Sequence, residues 1–142
     1  MDTEHKKQKM QDILKDTVDY YREDPSGRRC VTDDGDCMYT WGDRHCAIGR
    51  YMRPEFQSEE FSENNGATVN GLSHYIDHYL VKNVWGLDLD FWSCLQDLHD
   101  TVGYWEEWHE HKDGVRDYKL TDRGKEVYVA MQDRIARGEY DD

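Results

Sequence analysis

The feature that most constrains the fold is an apolar stripe that repeats at helical spacing in the second half of the chain. Its members follow one another at intervals of four, three, four and three positions: Phe91, Leu95, Leu98, Val102 and Trp105. Such spacing places every member on one face of a helix. We therefore predict a buried core helix that Asp90 caps and that continues to about Trp108.

Other segments show the same helical periodicity. Residues 3–24 carry apolar side chains on one face and end before a proline, whose ring disfavours helical geometry in the preceding residue. Thr68 can cap the first helix of a predicted helical core over residues 68–113. Thr121 can cap a C-terminal helix over residues 121–138.

We predict a three-stranded antiparallel β-meander over residues 28–49. Its central hairpin reverses where Gly42 can adopt a positive φ. If the turn centres on Trp41 and Gly42, Cys37 and Cys46 lie opposite each other on one face of the sheet. The two thiols can form a buried reduced pair, a disulfide or two ligands of a metal, and the buried pair is favoured.

The chain length of 142 residues fits one domain with one core, and we assign residues 1–142 to it. Hydrophobic residues make up 37% of the chain and aromatic residues 13%, so rings supply much of the surface that folding buries. We predict an α+β domain in which a small three-stranded antiparallel sheet packs against three to four helices.

The formal net charge of -13 limits the partners that this chain can bind. It repels nucleic acid and anionic membranes and favours basic protein surfaces. Residues 55–67 form a predicted acidic loop, which is a candidate contact surface. No stretch is apolar for long enough to span a bilayer, and the charged N-terminus is unlike a signal peptide. We expect a cytoplasmic protein that binds neither membrane nor DNA directly.

Cysteine and histidine residues offer two chemical hypotheses. In the first, Cys46 is a nucleophile, His99 its base and Asp100 the orienting group, although helical projection turns Asp100 away from His99. In the second, a structural zinc is held by three cysteines with Cys94 or His99 as the fourth ligand. The three cysteines are Cys30, Cys37 and Cys46. Their spacing lacks the close pair typical of zinc knuckles, so we expect neither a metal nor another cofactor.

One segment suggests DNA binding. Leu120-Thr-Asp-Arg-Gly124, followed by a helix, is similar to the junction after the wing of many winged-helix regulators. No recognition helix rich in Arg or Lys precedes this segment, and the net charge has the wrong sign. The sequence therefore does not predict a DNA-binding protein.

Two further segments carry a resemblance. The first contains Cys37, Tyr39, Cys46, Ala47 and Gly49, and the second contains Leu95, Gln96, His99 and Asp100. Together they resemble a family of small uncharacterised bacteriophage proteins, over roughly the middle half of the chain. The resemblance implies a phage origin, hence the cytoplasm of the host cell, and no established activity.

These observations favour a non-catalytic accessory protein that binds and inhibits a host protein through a basic surface on that protein. A narrower form of this hypothesis is DNA mimicry, in which spaced carboxylates imitate a phosphate backbone. The candidate contact residues are acidic or aromatic: Glu59, Glu60, Glu63, Trp92, Glu106, Glu107, Trp108 and Glu110.

An alternative is a homo-oligomeric sponge for a small nucleotide signal. Its stacking faces would be Trp41, Trp85, Trp92 and Trp108. Such a site also needs cationic side chains that converge on the phosphates. The candidates are Arg28, Arg29, Arg44, Arg50 and Arg53.

Overall fold

The computed structural model describes residues 2–22, 40–41, 44–57, 76–110, 112 and 116–140. These residues form four α-helices: α1 (Thr3–Arg22), α2 (Ile76–Tyr79), α3 (Leu89–Asp100) and α4 (Asp122–Ala136). They also form four short strands: β1 (Thr40–Trp41), β2 (Arg44–His45), β3 (Trp105–Glu110) and β4 (Arg116–Leu120). Single turns of 3-10 helix lie at Gly49–Tyr51, Pro54–Phe56, Lys82–Val84 and Val102–Tyr104.

The strands pair as two separate two-stranded antiparallel sheets, β1 with β2 and β3 with β4. The predicted three-stranded sheet is therefore wrong for the described part of the chain. Strand β3 of the second sheet is built from residues that had been placed within the predicted helical core over residues 68–113. The predicted first strand of the meander, residues 29–32, lies outside the described residues.

The hairpin of β1 and β2 differs from its predicted register. Thr40 lies opposite His45 and Trp41 opposite Arg44, so the centre of the reversal falls one residue later than Trp41 and Gly42. Cys46 follows β2 and enters a turn instead of lying within a strand. Cys37 lies outside the described residues.

Helix α3 is the predicted core helix, but both of its ends differ from the prediction. The residue that caps it is Asp88, whose carboxylate accepts a hydrogen bond from the backbone N of Asp90 at 2.6 Å. The helix ends at Asp100, where Thr101 Oγ1 donates to the carbonyl of Asp97 at 2.7 Å. The indole of Trp105 donates to the carbonyl of Leu98 at 3.1 Å, which satisfies another C-terminal carbonyl.

Residues 105–110 form a strand because β4 lies alongside them and pairs with them as an antiparallel ladder. Trp105 pairs with Leu120 and Glu106 with Lys119, and a register shift follows between Glu107 and His109. The apolar pair at the start of this ladder buries part of both side chains. The prediction that α3 continues to about Trp108 is therefore wrong, whereas its buried stripe over Phe91, Leu95 and Leu98 is confirmed, each being 0% exposed.

Helix α1 packs against α3, α4 and β4. Its buried residues recur at the predicted helical spacing and form one stripe: Met10, Ile13, Leu14, Val18 and Tyr21. Helix α4 contributes Met131 and Ile135 to the same core. Among the described residues, no helix combines the length and the apolar character needed to cross a membrane.

The cap of α4 gives a stability prediction. Thr121 Oγ1 accepts from the backbone N of Gly124 at 3.1 Å and donates to the carbonyl of Gly103 at 2.8 Å. Thr121→Ala removes both bonds and should lower the free energy of unfolding by about 1.5 kcal/mol. Urea denaturation followed by circular dichroism measures the change. Thr121→Ser retains the hydroxyl and is the control, so equal losses in the two variants would contradict the capping role.

Candidate binding surface

The outward stripe of α3 is acidic. Asp90 and Asp97 are both exposed and lie seven positions apart, so they project from the same side of the helix. The helical rise separates them by about 10.5 Å along the axis. Ser93 and Cys94 lie between them and are half-buried. A partner that approaches this side of α3 meets two carboxylates one after the other.

Strand β3 carries one more exposed acidic residue. The carboxylate of Glu106 lies 3.6 Å from the ammonium of Lys119 on β4, which balances its charge. No Lys or Arg occurs over residues 83–111. Seven acidic residues occur in the same stretch: Asp88, Asp90, Asp97, Asp100, Glu106, Glu107 and Glu110. Of these, Asp90, Asp97 and Glu106 are exposed in the described part of the chain, and we call the pair on α3, Asp90 and Asp97, the acidic face.

Helix α3 is followed by the hairpin of β3 and β4, and α4 begins directly after Leu120 and its capping Thr121. Helix α3 contains three Asp and no Lys or Arg, so its charge opposes contact with phosphates.

The structure describes the side chains of only some of the predicted contact residues. Glu106 is exposed, and Glu107, Trp108 and Glu110 belong to β3, although their side chains lie outside the described part. The remaining predicted acids, Glu59, Glu60 and Glu63, lie outside the described residues.

Trp92 does not belong to the surface. It is 0% exposed, and its ring packs against Phe91 and Tyr51 at centroid distances of 5.5 and 5.7 Å. Its placement among the contact residues is therefore wrong. The ring of Tyr51 comes from a turn more than 40 residues earlier in the chain, so helical projection of α3 could not reveal this burial.

Cys46 is buried at 1% exposure, and the backbone N of Gly49 donates to its sulfur at 3.2 Å. A nucleophile must meet its substrate, so this environment argues against catalysis by Cys46 and suits a packing role. His99 and Asp100 end α3, and their side chains lie outside the described part.

The two segments that carry the phage resemblance meet in the core. The backbone N of Ile48, beside Ala47 and Gly49, donates to the side-chain oxygen of Gln96 at 3.5 Å. Gln96 is itself only 7% exposed. This hydrogen bond links the turn after β2 to α3, so both segments help to form the core.

Within the described ranges, no three His, Cys, Asp or Glu side chains come together as a metal site. Cys30 and Cys37, two of the proposed zinc ligands, lie outside those ranges. Cys46 and Cys94 differ in their surroundings, since Cys46 is buried by the turn after β2 and Cys94 is half-buried on α3.

Two of the five candidate arginines have described side chains, and carboxylates engage both. Asp16 accepts from Arg50 Nη2 at 2.9 Å and from the hydroxyl of Tyr51 at 2.8 Å. Arg53 Nε lies 3.1 Å from the Glu55 carboxylate. Burial, reinforced by Asp16, raises the pKa of Tyr51 far above its ordinary value, so the phenol stays protonated and keeps donating.

This arrangement weakens the nucleotide-sponge hypothesis in two respects. The positive charge of Arg50 and Arg53 is already balanced, and Trp92 is no longer a stacking face. Of the other arginines, Arg28 and Arg29 lie outside the described residues. Arg44 lies in β2, and its side chain lies outside the described part, as does that of Trp41.

Sequence reasoning missed one polar cluster. Arg134 on α4 donates to the sulfur of Cys94 on α3, with 3.6 Å between Nη1 and Sγ. The guanidinium also stacks on the ring of Tyr140 at 4.2 Å from the centroid. These residues are up to 46 positions apart, and no spacing rule connects them. The acidic face, by contrast, could have been found from the absence of Lys and Arg over residues 83–111.

Comparison of the chain with protein-family models, with curated proteins and with solved structures finds no match.

Proposed function

We propose that this protein is a non-catalytic binding protein whose acidic face docks on a basic surface of a partner protein and inhibits that partner. The observation that carries the proposal is the presence of exposed carboxylates at helical repeat on α3, within a stretch of 29 residues that contains no Lys or Arg. The resemblance to small phage proteins makes a bacterial host protein the first partner to seek.

Electrostatics gives this face its selectivity. Carboxylates on one side of a helix attract cationic surfaces, raise the rate of encounter and repel nucleic acid and other acidic proteins. Asp90 and Asp97 are held by a helix whose opposite side is buried at Phe91, Leu95 and Leu98. The charges therefore sit on a rigid support, which lowers the entropic cost of binding.

In the narrower form of the proposal, the partner is a nucleic-acid-handling protein and the acidic face occupies its binding groove. Exposed carboxylates held on a rigid helix can imitate the charges of a phosphate backbone. Excess duplex DNA should then displace the protein from its partner.

The proposal is tested with a pair of double variants. Asp90→Asn with Asp97→Asn neutralises the acidic face, and Glu126→Gln with Asp133→Asn makes the same charge change on α4. The second pair is also exposed and also seven positions apart, so it is a matched control. Tagged forms of the native chain and of both variants are used to capture proteins from bacterial lysate, followed by mass spectrometry.

We expect the face variant to bind the recovered partner about tenfold more weakly than the native chain, a loss of about 1.4 kcal/mol. The control variant should retain native affinity. Native affinity should fall as salt rises from about 50 to about 200 mM, because exposed charges are screened. Equal binding by the native chain and the face variant, or binding that is insensitive to salt, would contradict the proposal.

A further inference from the structure

The polar neighbours of Cys94 are not those expected around a thiol that serves only for packing. The residue is half-buried on α3, and Arg134 directs a guanidinium N–H at its sulfur over 3.6 Å. Asp90 and Asp97 lie one turn away on either side, but both are exposed, whereas the guanidinium contacts the sulfur itself. Thiols beside Arg or Lys in partly exposed positions are the ones that react as thiolates.

Tyr140 adds a second, independent observation. The residue is 1% exposed, and its ring packs edge-on against Phe91 at 5.8 Å and under the Arg134 guanidinium. Burial, with an added contribution from the adjacent Cys94 thiol, raises the pKa of the phenol well above its ordinary value, so the hydroxyl remains protonated. Yet among the described residues this hydroxyl finds no partner of hydrogen-bond geometry.

A buried hydroxyl without a hydrogen bond destabilises a folded protein, because it has lost its bonds to water without gaining others. Here a guanidinium N–H of Arg134 is directed at the Cys94 sulfur, which is a weak acceptor, and the Tyr140 side chain lies beside the same thiol. An oxygen attached to that sulfur would be a stronger acceptor than the thiol for donors beside it. The pocket around Cys94 is thus better matched to an oxygenated sulfur than to a thiol.

We propose that Cys94 is a site of reversible oxidation by a peroxide, at which Arg134 and Tyr140 hold the oxygen of the resulting sulfenate. The Cys94 thiol first loses its proton to solvent. The thiolate sulfur attacks one peroxide oxygen, forming an S–O bond while the O–O bond breaks. Sulfur is oxidised by two electrons and the peroxide is reduced. The leaving hydroxide takes the proton of the sulfenic acid and becomes water, which leaves the sulfenate.

This chemistry distinguishes Cys94 from Cys46. Cys46 is 1% exposed, and its sulfur receives a backbone N–H from Gly49, whereas the Cys94 sulfur receives a guanidinium N–H from Arg134. Sulfenate formation requires that the peroxide reach the sulfur, so the half-buried Cys94 reacts in preference to the buried Cys46. A thiol reductant then returns the sulfenate to the thiol, which makes the modification reversible.

The experiment treats the folded full-length chain with hydrogen peroxide in the presence of dimedone, which traps sulfenic acids. Mass spectrometry of peptides then reports the labelling rate of each cysteine separately. We expect Cys94 to label at least about tenfold faster than Cys46. Arg134→Gln should slow labelling of Cys94 about tenfold. Tyr140→Phe keeps the ring contacts and should shorten the lifetime of the sulfenate, measured as the time over which dimedone added after peroxide still labels it.

Arg123→Gln and Tyr128→Phe make the same chemical changes elsewhere on α4 and are the controls, with circular dichroism confirming that every variant folds. Equal labelling of Cys94 and Cys46 in the native chain would overturn the proposal. The proposal would also fail if Arg134→Gln and Tyr140→Phe matched their controls in rate and lifetime, because the cluster would then contribute only packing.

Discussion

Trp92→Ala is expected to lower the free energy of unfolding by about 4 kcal/mol, the cost typical of removing a buried aromatic side chain from a core. The ring is 0% exposed and joins two parts of the molecule, since it packs on Phe91 within α3 and on Tyr51 in the turn that follows β2. Its removal leaves a cavity that the surrounding helices can fill only in part. Because domains have total stabilities of about 5–15 kcal/mol, this loss would be a substantial part of the total.

Urea denaturation monitored by circular dichroism measures the loss for Trp92→Ala. Trp85→Ala is the matched control, because Trp85 is 38% exposed and its indole donates one hydrogen bond to the carbonyl of Leu80. That variant should lose only about 1 kcal/mol. Similar losses at the two positions would show that Trp92 does not have the burial described here.

Gly124→Ala is expected to destabilise the protein by about 3 kcal/mol, even though alanine is the better helix former. A Cβ atom at this position would collide with the carbonyl oxygen of Tyr104 and would lie 3.1 Å from Leu120 Cδ2. The Tyr104 carbonyl cannot move freely, since it accepts a hydrogen bond from the backbone N of Thr121 at 2.9 Å. The first turn of α4 would have to separate from the turn that precedes β3.

Gly103→Ala is the control for Gly124→Ala, because a Cβ atom at Gly103 meets no atom within 4 Å. Its free energy of unfolding should stay within about 0.5 kcal/mol of the native value, as is usual for surface substitutions. Thermal or urea unfolding distinguishes the two variants. A neutral Gly124→Ala would contradict the close packing of α4 on the turn at Tyr104.

Several local features follow from neighbouring residues and were predicted correctly. The periodicity of α1 gave its bounds to within two residues at its C-terminal end, and Thr121 caps α4 as its position before the apolar repeat indicated. The buried stripe of α3 was also correct over Phe91, Leu95 and Leu98. Each of these features depends on contacts within a few turns of one helix, which sequence spacing records directly.

The errors arose where a distant segment competes with local preference. Val102 and Trp105 continue the helical repeat of α3, yet Trp105 starts a strand because Leu120 and its neighbours supply a ladder. The hairpin register likewise moved by one residue relative to the turn expected at Trp41 and Gly42. The spacing of apolar residues indicates which face of a segment is apolar. It carries no information about the hydrogen bonds that a strand gains from its partner.

The candidate site divides along the same line. The sequence indicates the charge of α3 itself, because residues 83–111 contain seven acidic residues and no Lys or Arg. The cations beside this segment, Arg134 at Cys94 and Lys119 at Glu106, come from other elements. The sequence does not show where the side chains of the site lie. Trp92, for example, was expected at the surface but is fully buried. The cluster of Cys94, Arg134 and Tyr140 was even harder to predict, because it joins two helices and the residues after α4.

The sequence by itself determined where the amphipathic helices lie, how α4 is capped and what charge α3 carries, because these properties depend on residues within one or two turns. Only the tertiary structure decided that residues 105–110 form a strand, that Trp92 is buried and that a guanidinium meets the Cys94 sulfur. Strand pairing and burial of the second side of a helix depend on segments tens of residues away, and local spacing carries no information about them.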